Sequence, residues 1–248
     1  MALPAARTVL AFLVICGSAA LVPSLASTQP ADASQAGRAE GEVDVALDPG
    51  HSSWDVGAAS AGLREFEVTL DIALRAEALL LGRGYTVRTT RRGTGRVTAS
   101  LPADPTEAIR AEQEARHAAA APTRVYVSIH LNGHPDRSIR GTETYFNAEN
   151  HGALSRSLAS SIQTQLVMAL RLSGYGSVDR GVREDLAAGK PYGHFFSLRG
   201  PFPSVVVEAL YLSNPEDAQL LHLDAVREAI ADGIARGIAA FLEGEALQ

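Results

Sequence analysis

Three side chains that could bind a metal or carry a proton stand at the ends of apolar, strand-like runs. His51 follows a run that ends in "DPG", His130 closes "VYVSIH", and Glu208 closes "SVVVE". In a parallel sheet the carboxyl ends of the strands meet at one edge, where ligands bind. If the three runs are parallel neighbours, we expect these side chains to reach the same edge.

A fourth candidate, Glu65, opens the helical stretch 65–82. It begins an apolar stripe with the spacing of a buried helix face, whereas Glu67 begins a charged face. We therefore expect Glu65 to point toward the sheet and Glu67 toward water. A carboxylate on a buried face needs a partner, because an unpaired buried charge is costly and the helix dipole offsets only part of that cost.

His51, Glu65 and His130 together form a set of two histidines and one carboxylate. That set is a ligand set of catalytic zinc sites, in which water takes the fourth position. Zinc lowers the pKa of such a water toward ~7 and so provides a nucleophile at neutral pH. Glu208 would then be the second carboxylate, which could take the proton of the water and pass it to a departing amine.

Each of the four residues also has an ordinary structural interpretation. His51 could be a surface turn residue, and His130 could be a structural histidine at a strand end. Glu65 could be a helix N-terminal carboxylate that the dipole favours. Glu208 could cap a loop or pair with an arginine such as Arg180. Only the convergence of all four favours a metal site with a proton carrier.

The elements that must position these residues alternate along the chain. The pattern predicts strands at 43–47, 86–90, 125–130, 141–146 and 204–208, and helices at 65–82, 106–121, 154–172, 215–221 and 225–242. Strands that alternate with helices are typical of an α/β fold. We expect a single domain over residues 43–244, with a mostly parallel central sheet flanked by helices on both faces.

The first 42 residues predict export rather than a folded module. Residues 1–26 contain a basic segment with Arg7, an apolar run and the small residues "SLA", which are the three parts of a secretory signal. The apolar run is short for a membrane span, which needs about 20 residues. Residues 27–42 are rich in Ala, Ser, Gln and Gly and indicate a flexible linker. An uncleaved anchor, or a lipoprotein attached through Cys16, is the alternative.

Composition excludes several classes of function. Of the 248 residues, 46% are hydrophobic and 20% are charged, which is ordinary for a soluble globular protein. The formal net charge is −6, and an acidic domain is poorly suited to nucleic acid or an anionic membrane surface. Cys16 is the only cysteine and lies in the signal, so the mature chain has no disulfides and no thiol chemistry.

Several blocks of the chain occur in the order and rough spacing of a known family. The blocks are "VALDPGHSSWDVGA", "LREFEVTLDIA", "VYVSIHLN", "DRGV" and "PSVVVEALYLSNPEDAQLL". Together they resemble the zinc-dependent N-acetylmuramoyl-L-alanine amidases of the amidase-3 type. The resemblance covers about residues 43 to 242, and it implies an α/β fold of the phosphorylase/hydrolase-like kind.

The resemblance assigns roles to the same four residues. It implies that His51, Glu65 and His130 bind one Zn²⁺ and that Glu208 is catalytic. The implied reaction is hydrolysis of the amide between the lactyl group of N-acetylmuramic acid and L-alanine of the peptidoglycan stem peptide. The expected partner is peptidoglycan or its muropeptide fragments, in the periplasm or the cell wall. After signal cleavage we expect no stable membrane insertion, and we expect a monomer.

The chain departs from the family pattern around the cleft. Ser52 and Ser53 replace two glycines, "EALYLSN" lacks the usual Gly-Phe, and the stretch before Ser204 is longer and more aromatic. These changes concern substrate preference more than chemistry. Some relatives carry a long inserted helix that blocks the zinc, and no insertion of that size is visible in this sequence, so the resemblance implies an open site.

Further residues are candidates for substrate contact. Asn132 could hydrogen-bond the substrate or the groups around the metal, and Arg180 could contact a stem-peptide carboxylate or form a structural ion pair. Tyr192, His194 and Phe196 could line the cleft or anchor a loop.

Two other functions stay open at this point. The chain could be a peptidoglycan-binding protein without catalysis, although the complete set of four residues argues against that. It could also be a zinc peptidase that cleaves within the stem peptide. The products of muropeptide digestion would separate these, because only an amidase yields peptide free of sugar.

Overall fold

The computed structural model describes residues 39–246. The predicted signal at 1–26 and most of the predicted linker at 27–42 lie outside these residues. The described elements begin with a strand at Val43 and end with a helix at Glu245. Among the helices of this part of the chain, none combines the length and apolar character needed to cross a bilayer.

Within the described residues, a sheet of six strands forms the centre of the fold. The strands are β1 (Val43–Pro49), β4 (Val87–Thr89), β5 (Thr123–Asn132), β6 (Thr142–Phe146), β7 (Asp179–Glu184) and β8 (Ser204–Tyr211). Their order is β4-β1-β5-β8-β6-β7, and neighbours pair in parallel except β6 and β8, which are antiparallel. The predicted mostly parallel sheet is therefore confirmed, and the strands that carry the candidate residues are parallel neighbours.

Helices and 3₁₀ turns complete the fold. The helices are α1 (Glu65–Gly82), α2 (Pro105–Ala120), α3 (Gly152–Leu172), α4 (Pro215–Leu221) and α5 (Asp224–Glu245). All five were expected within a few residues of these bounds. Sequence reasoning missed β7, which is polar, and a hairpin of β2 (Ala59–Ser60) and β3 (Leu63–Arg64), which is too short to show a period.

The two faces of the sheet pack against different helices. Val45 and Leu47 of β1 belong to a core cluster that includes apolar residues of α1, α3 and α5. Ala46, between them, faces the other way and packs in a cluster with Ala120 of α2 and Tyr126 of β5. Since side chains alternate along a strand, this arrangement confirms helices on both faces.

Local sequence explains where α2 begins and how closely α5 packs. The side chain of Asp104 accepts a hydrogen bond from the Glu107 N–H at 2.9 Å, with Pro105 in the first turn. A Cβ on Gly233 or Gly237 of α5 would come within 2.5 Å of backbone atoms of α3. These glycines therefore allow α5 to approach α3 closely.

Candidate active site

The side chains of His51, Glu65 and His130 meet at the carboxyl edge of the sheet. Each offers one ligand atom, and these atoms all lie within 4.8 Å of one another. Glu65 Oε1 is 3.3 Å from His51 Nε2 and 3.1 Å from His130 Nδ1. Three segments that are distant in sequence thus bring two imidazoles and a carboxylate to one point, which we call the His-Glu-His centre.

Glu65 is held in place by backbone donors. The Ala58 N–H donates to Oε2 at 2.7 Å, and the Leu131 N–H donates to Oε1 at 2.9 Å. Glu65 is 3% exposed, whereas the side chain of Glu67 is 41% exposed and pairs with Arg64. The structure therefore places Glu65 inward and Glu67 outward, as the helical spacing predicts.

The surroundings of Glu65 keep its carboxylate ionised. Burial raises the pKa of Glu65. The hydrogen bonds to His130 and His51 and the charges of these two residues lower it by more, so the pKa lies well below its usual value. A buried carboxylate that stays charged is suited to bind a cation, because charge in such a place must be compensated.

Asp55 orients the His51 ring. The Nδ1–H of His51 donates to Asp55 Oδ2 at 2.9 Å, which leaves Nε2 directed toward Glu65. Carboxylates in this position fix the tautomer of metal-binding histidines. Burial lowers the pKa of His51, but the hydrogen bonds and charges of Asp55 and Glu65 prevail and raise it to about 10. The local potential thus favours positive charge, whether a proton or a metal ion supplies it.

Two glycines make room for the His-Glu-His centre. A Cβ on Gly50 would lie 2.5 Å from the His130 ring, and a Cβ on Gly57 would lie 2.4 Å from Glu65 Oε2. Gly57 also has a φ of +67°, in the left-handed region that favours glycine. Sequence reasoning did not single out either residue, since their importance depends on contacts with side chains from other segments.

Two buried arginines hold the loop that carries His51. Arg116 of α2, 1% exposed, donates to the carbonyl oxygens of Pro49 and His51 and to Asp48 Oδ1 at 2.6, 2.7 and 2.8 Å. Arg91 donates to the carbonyl oxygens of Pro49 and Gly50. The carbonyl groups after β1 are thus bound by guanidinium donors, and this fixes the backbone at His51.

Glu208 stands directly opposite His130 in the pairing of β5 with β8. Its Oε2 atom is buried and has no hydrogen-bond partner among the described residues. Burial, followed by the charge of Glu65, raises the pKa of Glu208 to about 8. A carboxyl group that is unpaired and titrates near neutrality can both take up and release a proton.

Glu143, which sequence reasoning missed, lies opposite Glu208 on β6. This carboxylate is 1% exposed and accepts hydrogen bonds from Asn132 Nδ2, the Tyr211 hydroxyl and Arg183. Arg180 Nε is 3.4 Å from it. Both predicted substrate contacts, Asn132 and Arg180, are therefore engaged with Glu143. The sequence feature that could have indicated Glu143 is the alternation in "GTETYF", which places Glu143 on the same face of the strand as Tyr145.

The His-Glu-His centre and Glu208 line a cavity of about 350 Å³. Trp54 and Asn132 also line it, as do Tyr192 and Phe196, whose rings stack with centroids 4.8 Å apart. Arg180 and His194 are not among the lining residues; His194 instead hydrogen-bonds Asp185. Such a cavity can bind a metal ion, hold a carbonyl compound beside it and provide a proton carrier. Metal-assisted hydrolysis requires these three features.

Comparisons with known proteins agree with this geometry. The family model for N-acetylmuramoyl-L-alanine amidase (Amidase_3) matches residues 45–240. The chain is 33% identical over 194 residues to the N-acetylmuramoyl-L-alanine amidase LytC of Bacillus subtilis (strain 168), covering 76% of this chain and 34% of LytC. It is 30% identical over 233 residues to the uncharacterized protein YqiI of the same organism, covering 93% of this chain and 96% of YqiI.

A solved structure has the same fold. The catalytic domain of CwlV, an N-acetylmuramoyl-L-alanine amidase from Bacillus (Paenibacillus) polymyxa var. colistinus, superposes with a TM-score of 0.64 at 27% identity. The match covers 81% of this chain and 98% of that domain. The chain spans about a third of the length of LytC, so it corresponds to one part of that relative. Because the family model matches most of its residues, this chain belongs to the N-acetylmuramoyl-L-alanine amidase family.

Proposed function

We propose that this protein hydrolyses the amide between the lactyl group of N-acetylmuramic acid and L-alanine in peptidoglycan. The observation that carries the proposal is the His-Glu-His centre beside the unpartnered carboxylate of Glu208, in a chain of this family. The reaction breaks the amide C–N bond and forms a C–O bond from water. It leaves a muramic acid carboxylate and a free amine on L-alanine.

We propose that the metal is Zn²⁺, held by His51, Glu65 and His130. Two imidazoles and one carboxylate are a ligand set of catalytic zinc sites. Two backbone N–H groups donate hydrogen bonds to Glu65, one to each carboxylate oxygen, and Asp55 orients His51. Both features support this set of ligands. When bound, zinc supplies a Lewis acid that polarises the amide carbonyl and makes water nucleophilic at neutral pH.

Glu208 takes the proton of the attacking water and delivers it to the departing nitrogen of L-alanine. Its Oε2 atom is free to do so, and its raised pKa suits a group that must be a base first and an acid afterwards. Tyr192 and Phe196 contribute an aromatic wall to the cavity that receives the substrate.

Two further contacts with the substrate belong to this proposal. From the cavity wall, Asn132 hydrogen-bonds the substrate or steadies the groups around the metal. Arg180 lies outside the cavity lining with its side chain 28% exposed, and it contacts an acidic group of the stem peptide that extends beyond the cavity.

The N-terminal sequence supports export of the catalytic domain at 43–244. The basic segment, apolar run and small residues of 1–26 direct the chain out of the cytoplasm, where peptidoglycan is accessible. The protein then acts in the periplasm or the cell wall.

Mass spectrometry of digested muropeptides tests the reaction. We expect sugar-free stem peptides with a new N-terminal alanine. Glu208→Gln should retain zinc and lose about 10²- to 10⁴-fold in turnover, because a general acid–base contributes that much. Glu65→Gln should lose zinc as well, whereas Glu67→Gln, from the same helix turn, should keep both.

Other outcomes would replace the proposal. Binding to sacculi with no released peptide would indicate a binding protein without catalysis. Cleavage between stem residues, with the sugar still attached to alanine, would indicate a zinc peptidase. Normal turnover by Glu208→Gln would remove Glu208 from the role of proton carrier.

A further inference from the structure

The segment after β7 forms a loop whose two ends are fastened together. Asp185 is fully buried, and its carboxylate accepts from His194 Nδ1 and from the Phe195 N–H, both at 2.8 Å. Arg199 donates to the carbonyl oxygens of Tyr192 and His194, both at 2.7 Å. We call residues 186–193 the clasped loop, since these contacts hold its base in a defined position.

The clasped loop presents one lysine to the cavity. Lys190 is exposed, lines the same cavity as the His-Glu-His centre, and is the only lysine in the sequence. Its Nζ atom lies 5.8 Å from the Phe195 ring centroid. Within residues 39–246, no carboxylate pairs with Lys190 and no hydrogen bond engages its ammonium group.

The ammonium group of Lys190 differs in charge or in pairing from the other charged groups that line the cavity. Asp55, Glu65 and Glu208 all contribute carboxylates to the lining. Arg116, the other strong cation of the lining, is buried and already paired with Asp48 and Glu112. Of the described lining residues, Lys190 is therefore the only lysine or arginine that is not already paired with a carboxylate.

A ligand that brings its own carboxylate into this cavity meets the carboxylates of the lining, and apart from the proposed metal Lys190 is the exposed cation of the described lining that can pair with it. Lys190 and Glu208 line the same cavity, so one bound ligand can contact both the ammonium group and the proposed proton carrier. Because the clasped loop is fastened at its base, the backbone that carries Lys190 has less freedom than that of an open loop.

We infer that Lys190 selects substrates with a free carboxylate on the stem peptide close to the scissile amide. This inference rests on the proposed function and adds the charge of the preferred substrate. A stem residue next to L-alanine that carries an α-carboxylate can present that group either free or amidated. The free carboxylate pairs with Lys190, whereas the neutral amide gains little from it.

A matched pair of muramoyl peptides tests the inference. The two substrates differ only in a carboxylate or a primary amide at the second stem residue, and kcat and KM are measured for both with the zinc-loaded protein. We expect wild type to favour the carboxylate by about tenfold in kcat/KM, mostly through KM, as for one charge-assisted contact. Lys190→Ala should remove this preference, and Lys190→Arg should keep most of it.

Arg171→Ala provides the control for net charge. Arg171 is exposed near the end of α3 and is absent from the cavity lining, so its removal should change neither substrate. The inference is overturned if Lys190→Ala slows both substrates equally, or if wild type shows no preference. If wild type releases peptide from neither substrate, the proposed function itself fails, and the inference fails with it.

Discussion

Gly57 illustrates how a residue without a side chain can determine the shape of the His-Glu-His centre. Its Cα lies against Glu65 and the His51 ring, where a Cβ would come within 2.4 and 2.6 Å of side-chain atoms. Side chains from a loop, a helix and a strand meet at the His-Glu-His centre, and their meeting requires such close backbone approach. At this scale the important property of the residue is the volume it leaves for its neighbours.

Comparison of Gly57→Ala with Gly62→Ala tests this property. Both glycines have positive φ, +67° and +78°, but a Cβ on Gly62 meets nothing within 4 Å. We expect both variants to lose about 1 kcal/mol of unfolding free energy from the left-handed backbone. Only Gly57→Ala should also lose zinc affinity, by tenfold or more, measured by competition with a chelator. Equal zinc affinity in the two variants would contradict the steric argument.

At the scale of elements, β1 and α2 are joined by a buried ion pair beneath the His51 loop. Asp48 accepts hydrogen bonds from Arg116, Thr90 and Ser128, at 2.6 to 2.8 Å. Burial raises the pKa of Asp48, but the Arg116 charge and the hydrogen bonds prevail and lower it from 3.8 to about 2. The ion pair between Asp48 and Arg116 therefore links the end of β1 to α2.

The pH dependence of stability follows from that lowered pKa. Asp48 stabilises the fold above about pH 4, and its contribution is lost as the pH falls through about 2. We expect this group to account for about 2 kcal/mol of the fall in unfolding free energy over that interval. Asp48→Asn should be less stable at neutral pH and should lack this part of the fall. Urea unfolding between pH 2 and 7, followed by circular dichroism, measures both effects.

Asp224→Asn is the control for a carboxylate on the surface. The Asp224 side chain is 85% exposed, so its replacement should leave the pH profile close to that of wild type. If Asp48→Asn retained the full fall below pH 4, the buried ion pair would not be its origin.

At the scale of the whole molecule, a metal would link three parts of the chain. His51 follows β1, Glu65 begins α1, and His130 lies near the end of β5. A ligand that binds only the folded state stabilises it by mass action, by about 4 kcal/mol at a concentration a thousand times its Kd. Zinc should therefore act as a structural link as well as a catalytic group.

Chelation tests this link. We expect removal of zinc to abolish hydrolysis and to lower the Tm by about 10 °C, since each kcal/mol corresponds to roughly 2–4 °C in a domain of this size. The Tm of Glu65→Gln should not change with chelator, because that variant has lost a ligand. A wild-type Tm that is the same with and without bound zinc would contradict the link. Scanning calorimetry measures each case.

Much of this protein could be predicted from its sequence, for physical reasons that act locally. The apolar runs before His51 and within "VYVSIH" and "SVVVE" indicate buried parallel strands, and such strands deliver their last residues to one edge. The stripe that begins at Glu65 indicates the orientation of that carboxylate, because side-chain direction in a helix depends on position alone. The predicted sheet and the meeting of the three candidate ligands follow from these local rules.

Tertiary structure decided the features that depend on close contact between distant segments. No sequence period indicates that Glu143 engages Asn132 and Arg180, since that carboxylate reaches them only after β6 pairs antiparallel with β8. The space at Gly57 likewise depends on two side chains from other elements. Lys190 lines the cavity from the clasped loop, whose base is held by the contact of Asp185 with His194. Hydrophobic periodicity specifies which way a residue faces, but only packing specifies what it meets there.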